Sequence, residues 1–276
     1  MAVLLALIAA ATYGVSDFLG GLASRRTHAL TVLLYNYPAG ALVMVALLPL
    51  FPGSVSGSTL AWSLAGGAVG LAGVGLLYSA LGRAAMSVVS PITAVLSACV
   101  PVLVGVIGGE RPAVLAWIGI AIGLAAVVLV SRTDGGAGLA GASRAAVLMA
   151  LGAGVGFGLY FVCLARSDDD SGLWPVVIAR ICAAALVIPL ARRVTTSALR
   201  GQLLLIVIGS GVLDAAANLA FLEASRHGFL SIASVITALY PAGTVLLAAL
   251  LLGERTGRTQ RIGLGLAAVA VVLVTS

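Results

Sequence analysis

Long apolar runs alternate with brief polar breaks along this chain. The runs lie near residues 2–24, 31–51, 60–81, 86–108, 113–131, 145–165, 174–191, 202–222, 229–252 and 261–275. Most reach the roughly 17–25 residues that a helix needs to cross a hydrocarbon core. Backbone in lipid must satisfy its own hydrogen bonds, so the pattern predicts an all-α integral membrane protein with ten transmembrane helices. The breaks are short. The longest are the Gly-rich connection from Arg132 to Arg144 and the acidic turn from Ser167 to Gly172, and neither leaves room for a soluble domain.

The stretch from Ser87 to Val130 recurs as Ser231 to Val274 at a constant offset of 144 residues, with 17 of 44 aligned pairs identical. Gly109-Glu110-Arg111 meets Gly253-Glu254-Arg255, Ile118-Gly119 meets Ile262-Gly263, and Ala41-Leu42-Val43 meets Ala185-Leu186-Val187. The charged-corner identities owe nothing to an apolar bias, so the repeat is real. The chain divides into two homologous halves, 1–140 and 141–276. With five spans in each, the second half enters the membrane from the side opposite to the first, which makes the pair an inverted repeat.

Composition agrees. Hydrophobic residues make up 61% and charged residues 9%, with a mean hydropathy of +1.19, whereas charged residues alone are about 25% of a soluble domain. The first run lacks a basic leader and is followed by nine others, which argues against a cleaved signal. Cys99, Cys163 and Cys182 fall inside spans without ligand spacing and read as small core residues. The net charge of +6 comes from Arg alone, placed at span ends where it sets topology rather than binding nucleic acid. Eleven Arg lie in the loops after spans 1, 3, 5, 7 and 9, and only Arg111, Arg166 and Arg226 on the other side. The positive-inside rule then places both termini outside the cytoplasm.

Charge at membrane depth is expensive and therefore informative. Only Asp17, Arg180 and Asp214 lie well inside spans. Counting about 1.5 Å of rise per residue, Arg180 and Asp214 share a level near the midplane, and Asp17 and Asn36 share one nearer the Arg-rich face. Two polar layers are expected: Asp17 with Asn36, and Arg180 with Asp214 and Asn218. Tyr13 and Asp17 share a helix face, as do Asp214 and Asn218. Asp17, having no cation at its depth, is the candidate for proton coupling or cation binding. The structural alternatives are an ion pair locking spans 7 and 8, and a carboxylate facing a wet vestibule or capping a kink near Gly20 and Gly21.

Tyr13, Tyr35, Tyr37, Tyr78, Phe157, Tyr160, Phe221 and Tyr240 are candidate lining aromatics, Tyr13 and Tyr160 foremost; packing is their alternative role. Glu110 and Glu254 read as corner or interfacial residues. Pro91, Pro101 and Pro241 permit helix bends, and the Gly66-xxx-Gly70 and Gly119-xxx-Gly123 patterns indicate close helix packing. His28 and His227 read as ordinary loop residues.

These features resemble the EamA family of the drug/metabolite transporter superfamily over nearly the whole chain. The doubled Gly-Glu-Arg corners carry the resemblance, with Pro241 thirteen residues before Glu254, Ala80 and Ala224 thirty residues before the two glutamates, and Arg180. It implies a secondary carrier that exports amino acids, drugs or other metabolites through a central cavity between the halves. Two departures stand out: Ser97 replaces the proline equivalent to Pro241, and Asn36 stands opposite Arg180. Relatives usually keep their termini in the cytoplasm, against the Arg count.

No phosphate-binding Gly-x-x-x-x-Gly-Lys-Ser/Thr loop occurs, so energy would come from a gradient, and no cofactor or metal is expected. An intramembrane enzyme would need a nucleophile with a base, or a metal set; neither His-Glu-x-x-His nor Gly-x-Ser-x-Gly occurs. A non-transporting sensor or assembly subunit would be expected to carry an output module. The expected partners are lipid, a small-molecule substrate and protons, with the chain a monomer or homodimer. Two buried acids against one Arg favour a cationic or zwitterionic substrate, an amino acid or amine, over an organic phosphate. Arg-only, Ala/Gly/Val-rich usage points to a GC-rich bacterial source and a plasma membrane.

Overall fold

A computed structural model describes residues 1–84, 86–130, 143–193, 198–243, 247 and 257–275. The second Gly-Glu-Arg corner, 253–255, lies outside the described residues. The elements are α1 (Ala2–Ser24), α2 (Ala29–Leu47, extended by a 3-10 turn, Leu48–Leu50), α3 (Gly57–Leu81), α4 (Met86–Ile107), α5 (Val114–Val130), α6 (Arg144–Ala165), α7 (Trp174–Ala191), α8 (Gly201–Arg226), α9 (Leu230–Thr237) and α10 (Arg258–Thr275). No strand occurs among the described residues.

Among the described residues, six helical segments are long and apolar enough to cross a membrane: Ala2–Ser24, Ala29–Leu50, Gly57–Leu81, Arg144–Ala165, Trp174–Ala191 and Gly201–Arg226. The apolar helices over Ile92–Ile107, Val114–Val130 and Leu230–Gly243 are shorter. Large apolar side chains such as Leu4, Leu42, Leu103, Ile107, Leu205 and Val272 face outward, while Ser16, Asp17, Asn36, Arg180, Ser210 and Asn218 are buried. That distribution suits lipid outside and a polar interior, and the chain is a multi-pass membrane protein.

The ninth run is not one continuous helix. The α-helix stops at Thr237, a turn covers Ala238 and Leu239, and helical geometry resumes at Tyr240. Pro241 explains the break, because it has no N–H to give the Thr237 carbonyl.

The halves interlock. α1 packs on α8 and α9, and α6 on α3 and α4; α2 packs on α7 and α8, and α7 on α2 and α3; α5 meets α10, and α4 meets α9. Exchanging α1–α5 with α6–α10 maps each of these contacts onto another or onto itself. Small residues make the approach possible. On α6, a Cβ at Gly154 would stand 2.7 Å from Thr93 O, at Gly156 2.9 Å from Gly73 Cα, and at Gly158 2.6 Å from Val100 Cβ. This stripe seats α6 between α3 and α4.

The first Gly-Glu-Arg corner has a local explanation. Gly109 has φ +100, Glu110 N donates to Gly105 O at 2.9 Å, and Gly109 N donates to Val106 O at 3.1 Å. These are the two bonds of a Schellman stop, which needs glycine at the left-handed position. Glu110 then reaches the other half: Leu230 N donates to its Oε1 at 2.7 Å and Ser231 N to its Oε2 at 3.1 Å. One carboxylate satisfies two orphan amides at the start of α9 and complements its dipole. Arg111 turns to backbone, donating to Glu110 O at 3.0 Å.

His28 caps α2, its Nδ1 accepting from Leu30 N at 3.2 Å. Arg226, at the end of α8, ties down the acidic turn by donating to Gly172 O at 2.9 Å and Ser171 Oγ at 2.7 Å.

Candidate functional site

One cavity, about 40 Å³ in volume, lies where α1, α2, α3, α4, α6, α7 and α8 converge with the chain just beyond α9. Helical spacing selects the residues that face it. α1 presents Tyr13 and Asp17 one turn apart, α3 presents Gly66, Gly70 and Val74 in successive turns beside Gly67, and α6 presents Phe157, Tyr160 and Phe161. Asp214 and Asn218 share one face of α8; Tyr37, Ser97, Ala179, Arg180 and Tyr240 complete the wall.

The interior is held by one charged network. Arg180 Nη2 donates to Asp214 Oδ2 in an ion pair whose side chains are 2% and 15% exposed. Arg180 Nη1 also lies 3.5 Å from Gly211 O, and the guanidinium carbon sits 5.6 Å from the Tyr37 ring centroid. Arg180 passes beside Gly40 and Gly211, where α2 and α8 come so close that a Cβ on Gly40 would collide with both Arg180 Nη1 and Gly211 O. Asn218 Nδ2 donates to Asp214 O at 2.8 Å, and its Oδ1 accepts from the Tyr13 hydroxyl. The network thus runs from α7 through α8 to α1.

Asp17 stands outside it. It is 8% exposed and lines the cavity, yet no hydrogen bond or ion pair reaches its carboxylate among the described residues. Aromatic rings form much of the remaining wall. Tyr13 and Phe161 have centroids 6.0 Å apart, Tyr160 and Phe161 6.3 Å, and Phe161 stacks on buried Phe221 at 4.1 Å.

Of the residues singled out from sequence, Tyr13, Asp17, Tyr160, Arg180, Asp214 and Asn218 meet at this cavity; Asn36 does not. Its Nδ2 donates to Ser210 Oγ at 3.1 Å, in a separate polar cluster where Ser16 Oγ donates to Ser210 O at 2.9 Å and the Tyr78 hydroxyl lies 3.4 Å from Ser210 Oγ. Asn36 therefore connects to α1 through Ser210 and Ser16, the neighbour of Asp17, and not through the cavity wall. Asn36 faces α8 at its closest approach to α2, and Tyr37, the next residue, faces the cavity. Among the aromatics, Tyr35, Tyr78 and Phe221 do not line the cavity, whereas Phe161 does. Phe161 was detectable in principle, four residues after Phe157 on the same face.

The family comparison follows the same division of the chain. The EamA-like transporter family matches residues 1–132 and again residues 144–276. No curated protein matches the sequence. A solved structure described only as "Crystal structure of protein" superposes with a TM-score of 0.76 at 21% identity, covering 99% of this chain and 96% of that one; at that identity the likeness concerns the fold alone. With both halves matched over nearly their whole length, this chain belongs to the EamA-like transporter family, a family of membrane transporters within the drug/metabolite transporter superfamily.

Proposed function

We propose that this protein is a secondary transporter moving a small metabolite or drug, an amino acid or amine foremost, by alternating access. In this reading ten spans form two inverted five-helix repeats, 1–140 and 141–276, in a bacterial plasma membrane. Transport runs in the export direction that the family resemblance implies. Tyr13, Asp17, Tyr160, Arg180, Asp214 and Asn218 bind substrate or couple its movement, and Asn36 supports them through the Ser210 cluster.

The observation that carries this reading is a largely apolar, aromatic-walled cavity between helices of both halves, with a charged network on its wall. At about 40 Å³ it holds a few waters and no metabolite, since a single water occupies roughly 10–15 Å³ on this measure. Substrate entry therefore requires the helices to part. The contacts spanning the cavity, Arg180 to Asp214 and Tyr13 to Asn218, become the ones that such an opening alters. Asp17 exchanges protons or meets a cationic group.

The test is uptake of radiolabelled amino acids and organic amines into proteoliposomes, with and without a pH gradient, by the wild type, Asp17→Asn and Asp214→Asn. Gradient-driven flux that disappears in Asp17→Asn supports a proton-coupled carrier. Flux that ignores the gradient and survives both substitutions removes the assigned roles.

A further inference from the structure

The distribution of charge in the cavity narrows the ligand, given the transport reading above. The acidic and basic side chains that line it are Asp17, Asp214 and Arg180. Arg180 is committed to Asp214, to Gly211 O and to the face of Tyr37. Its Nε is buried without a partner among the described residues and presents no surface to an incoming group. Asp17 keeps a carboxylate on the cavity wall with no counter-charge among the described residues. Asp17 when ionised is therefore a negative charge without a partner in a place where water is scarce, and either a proton or a bound cation neutralises it.

We propose that the cavity binds an organic monocation, a primary amine without a carboxylate, with Asp17 as its counter-ion. An ammonium brings ionised Asp17 to neutrality, and Tyr13, Phe157 and Tyr160 line the same cavity as aromatic neighbours for the cation and its apolar body. A zwitterion fits worse. Its carboxylate would sit between two acids, with the one guanidinium already held. An organic anion is excluded on the same ground.

The test uses one scaffold at three charges: phenethylamine, phenylalanine and 3-phenylpropionate, titrated calorimetrically into the full chain in lipid nanodiscs, with primary monoamines from ethylamine to tryptamine as a size series. The expected result is that the preferred monoamine binds at least tenfold tighter than its carboxylate-bearing counterpart. Asp17→Asn should abolish that preference and Asp17→Glu should retain it. Equal or tighter binding of phenylalanine overturns the proposal, as does an unchanged preference in a monodisperse, folded Asp17→Asn, or the failure of every monoamine. The two readings fail separately: flux of a zwitterion alone leaves a transporter without this specificity, and Asp17-dependent amine binding without flux leaves the site without transport.

Discussion

Asp214→Asn and Asp17→Asn each remove one buried carboxylate charge, yet they should move stability in opposite directions. Asp214 is the counter-ion of Arg180, whose side chain is 2% exposed. Without it the guanidinium keeps only the 3.5 Å contact to Gly211 O and the Tyr37 face. Removing one partner of a buried pair costs about 3–5 kcal/mol; the 15% exposure of Asp214 places this case near the lower end, about 3 kcal/mol. Asp17 has no partner to orphan, so Asp17→Asn removes an unpaired charge and should leave stability unchanged or raise it by about 1 kcal/mol. In a double-mutant cycle, Arg180→Gln combined with Asp214→Asn should cost less than the sum of the two by about 2 kcal/mol. The assay is unfolding by dodecyl sulfate in mixed micelles, followed by the fluorescence of Trp62, Trp117 and Trp174. Equal losses for the two Asp variants, or Arg180 and Asp214 effects additive within about 0.5 kcal/mol, would refute the assignment of one acid as paired and the other as free.

Glu110→Ala should destabilise by about 1–2 kcal/mol by leaving the Leu230 and Ser231 amides without an acceptor, whereas Glu110→Gln keeps an acceptor and should recover part of the loss in the same titration. Gly156→Leu would drive a side chain into Gly73 Cα, 2.9 Å from the first added atom, and should abolish the monodisperse peak in size-exclusion chromatography, whereas Gly265→Leu, with open space around its Cβ, should not. Tyr13→Phe leaves buried Asn218 Oδ1 without its donor and should cost about 1–2 kcal/mol. The Arg asymmetry predicts termini outside the cytoplasm, and on that expectation a cysteine substituted for Ala2 in a background lacking the native cysteines should react with an impermeant maleimide on intact cells; labelling only after lysis would place the termini inside, as the family resemblance implies.

The pairing of Arg180 with Asp214 was legible in the sequence, but the bearing of a residue around its helix was legible only in part. Arg180 and Asp214 stood out because charge in hydrocarbon is rare, and their shared level follows from counting rise per residue. Asp17 was legible for the same reason, as were Tyr13 and Asn218 through helical spacing. That Asn36 faces Ser210 while Tyr37 faces the cavity was not legible, because α2 is apolar almost all round and nothing in its pattern distinguishes residue 36 from 37. Phe161 lay one residue from Tyr160 and was hidden by the same lack of contrast. Pro241 announced a bend, though not the end of the α-helix at Thr237. The reach of Glu110 to α9 crosses 120 residues of chain, a tertiary relation that the corner motif carries no local sign of.

Alternating exposure of the cavity is the central claim, and a single cysteine at Ala179, which lines it and is 2% exposed, tests that most directly. In proteoliposomes of oriented protein with Cys99, Cys163 and Cys182 replaced by Ala, impermeant maleimide would be applied to either face during amine flux. Labelling should occur from both faces while substrate cycles, favour one face when it does not, and block flux once complete. Flux that continues while Ala179→Cys stays unlabelled from either side, or continues unchanged after full labelling, would show that substrate does not pass through this cavity.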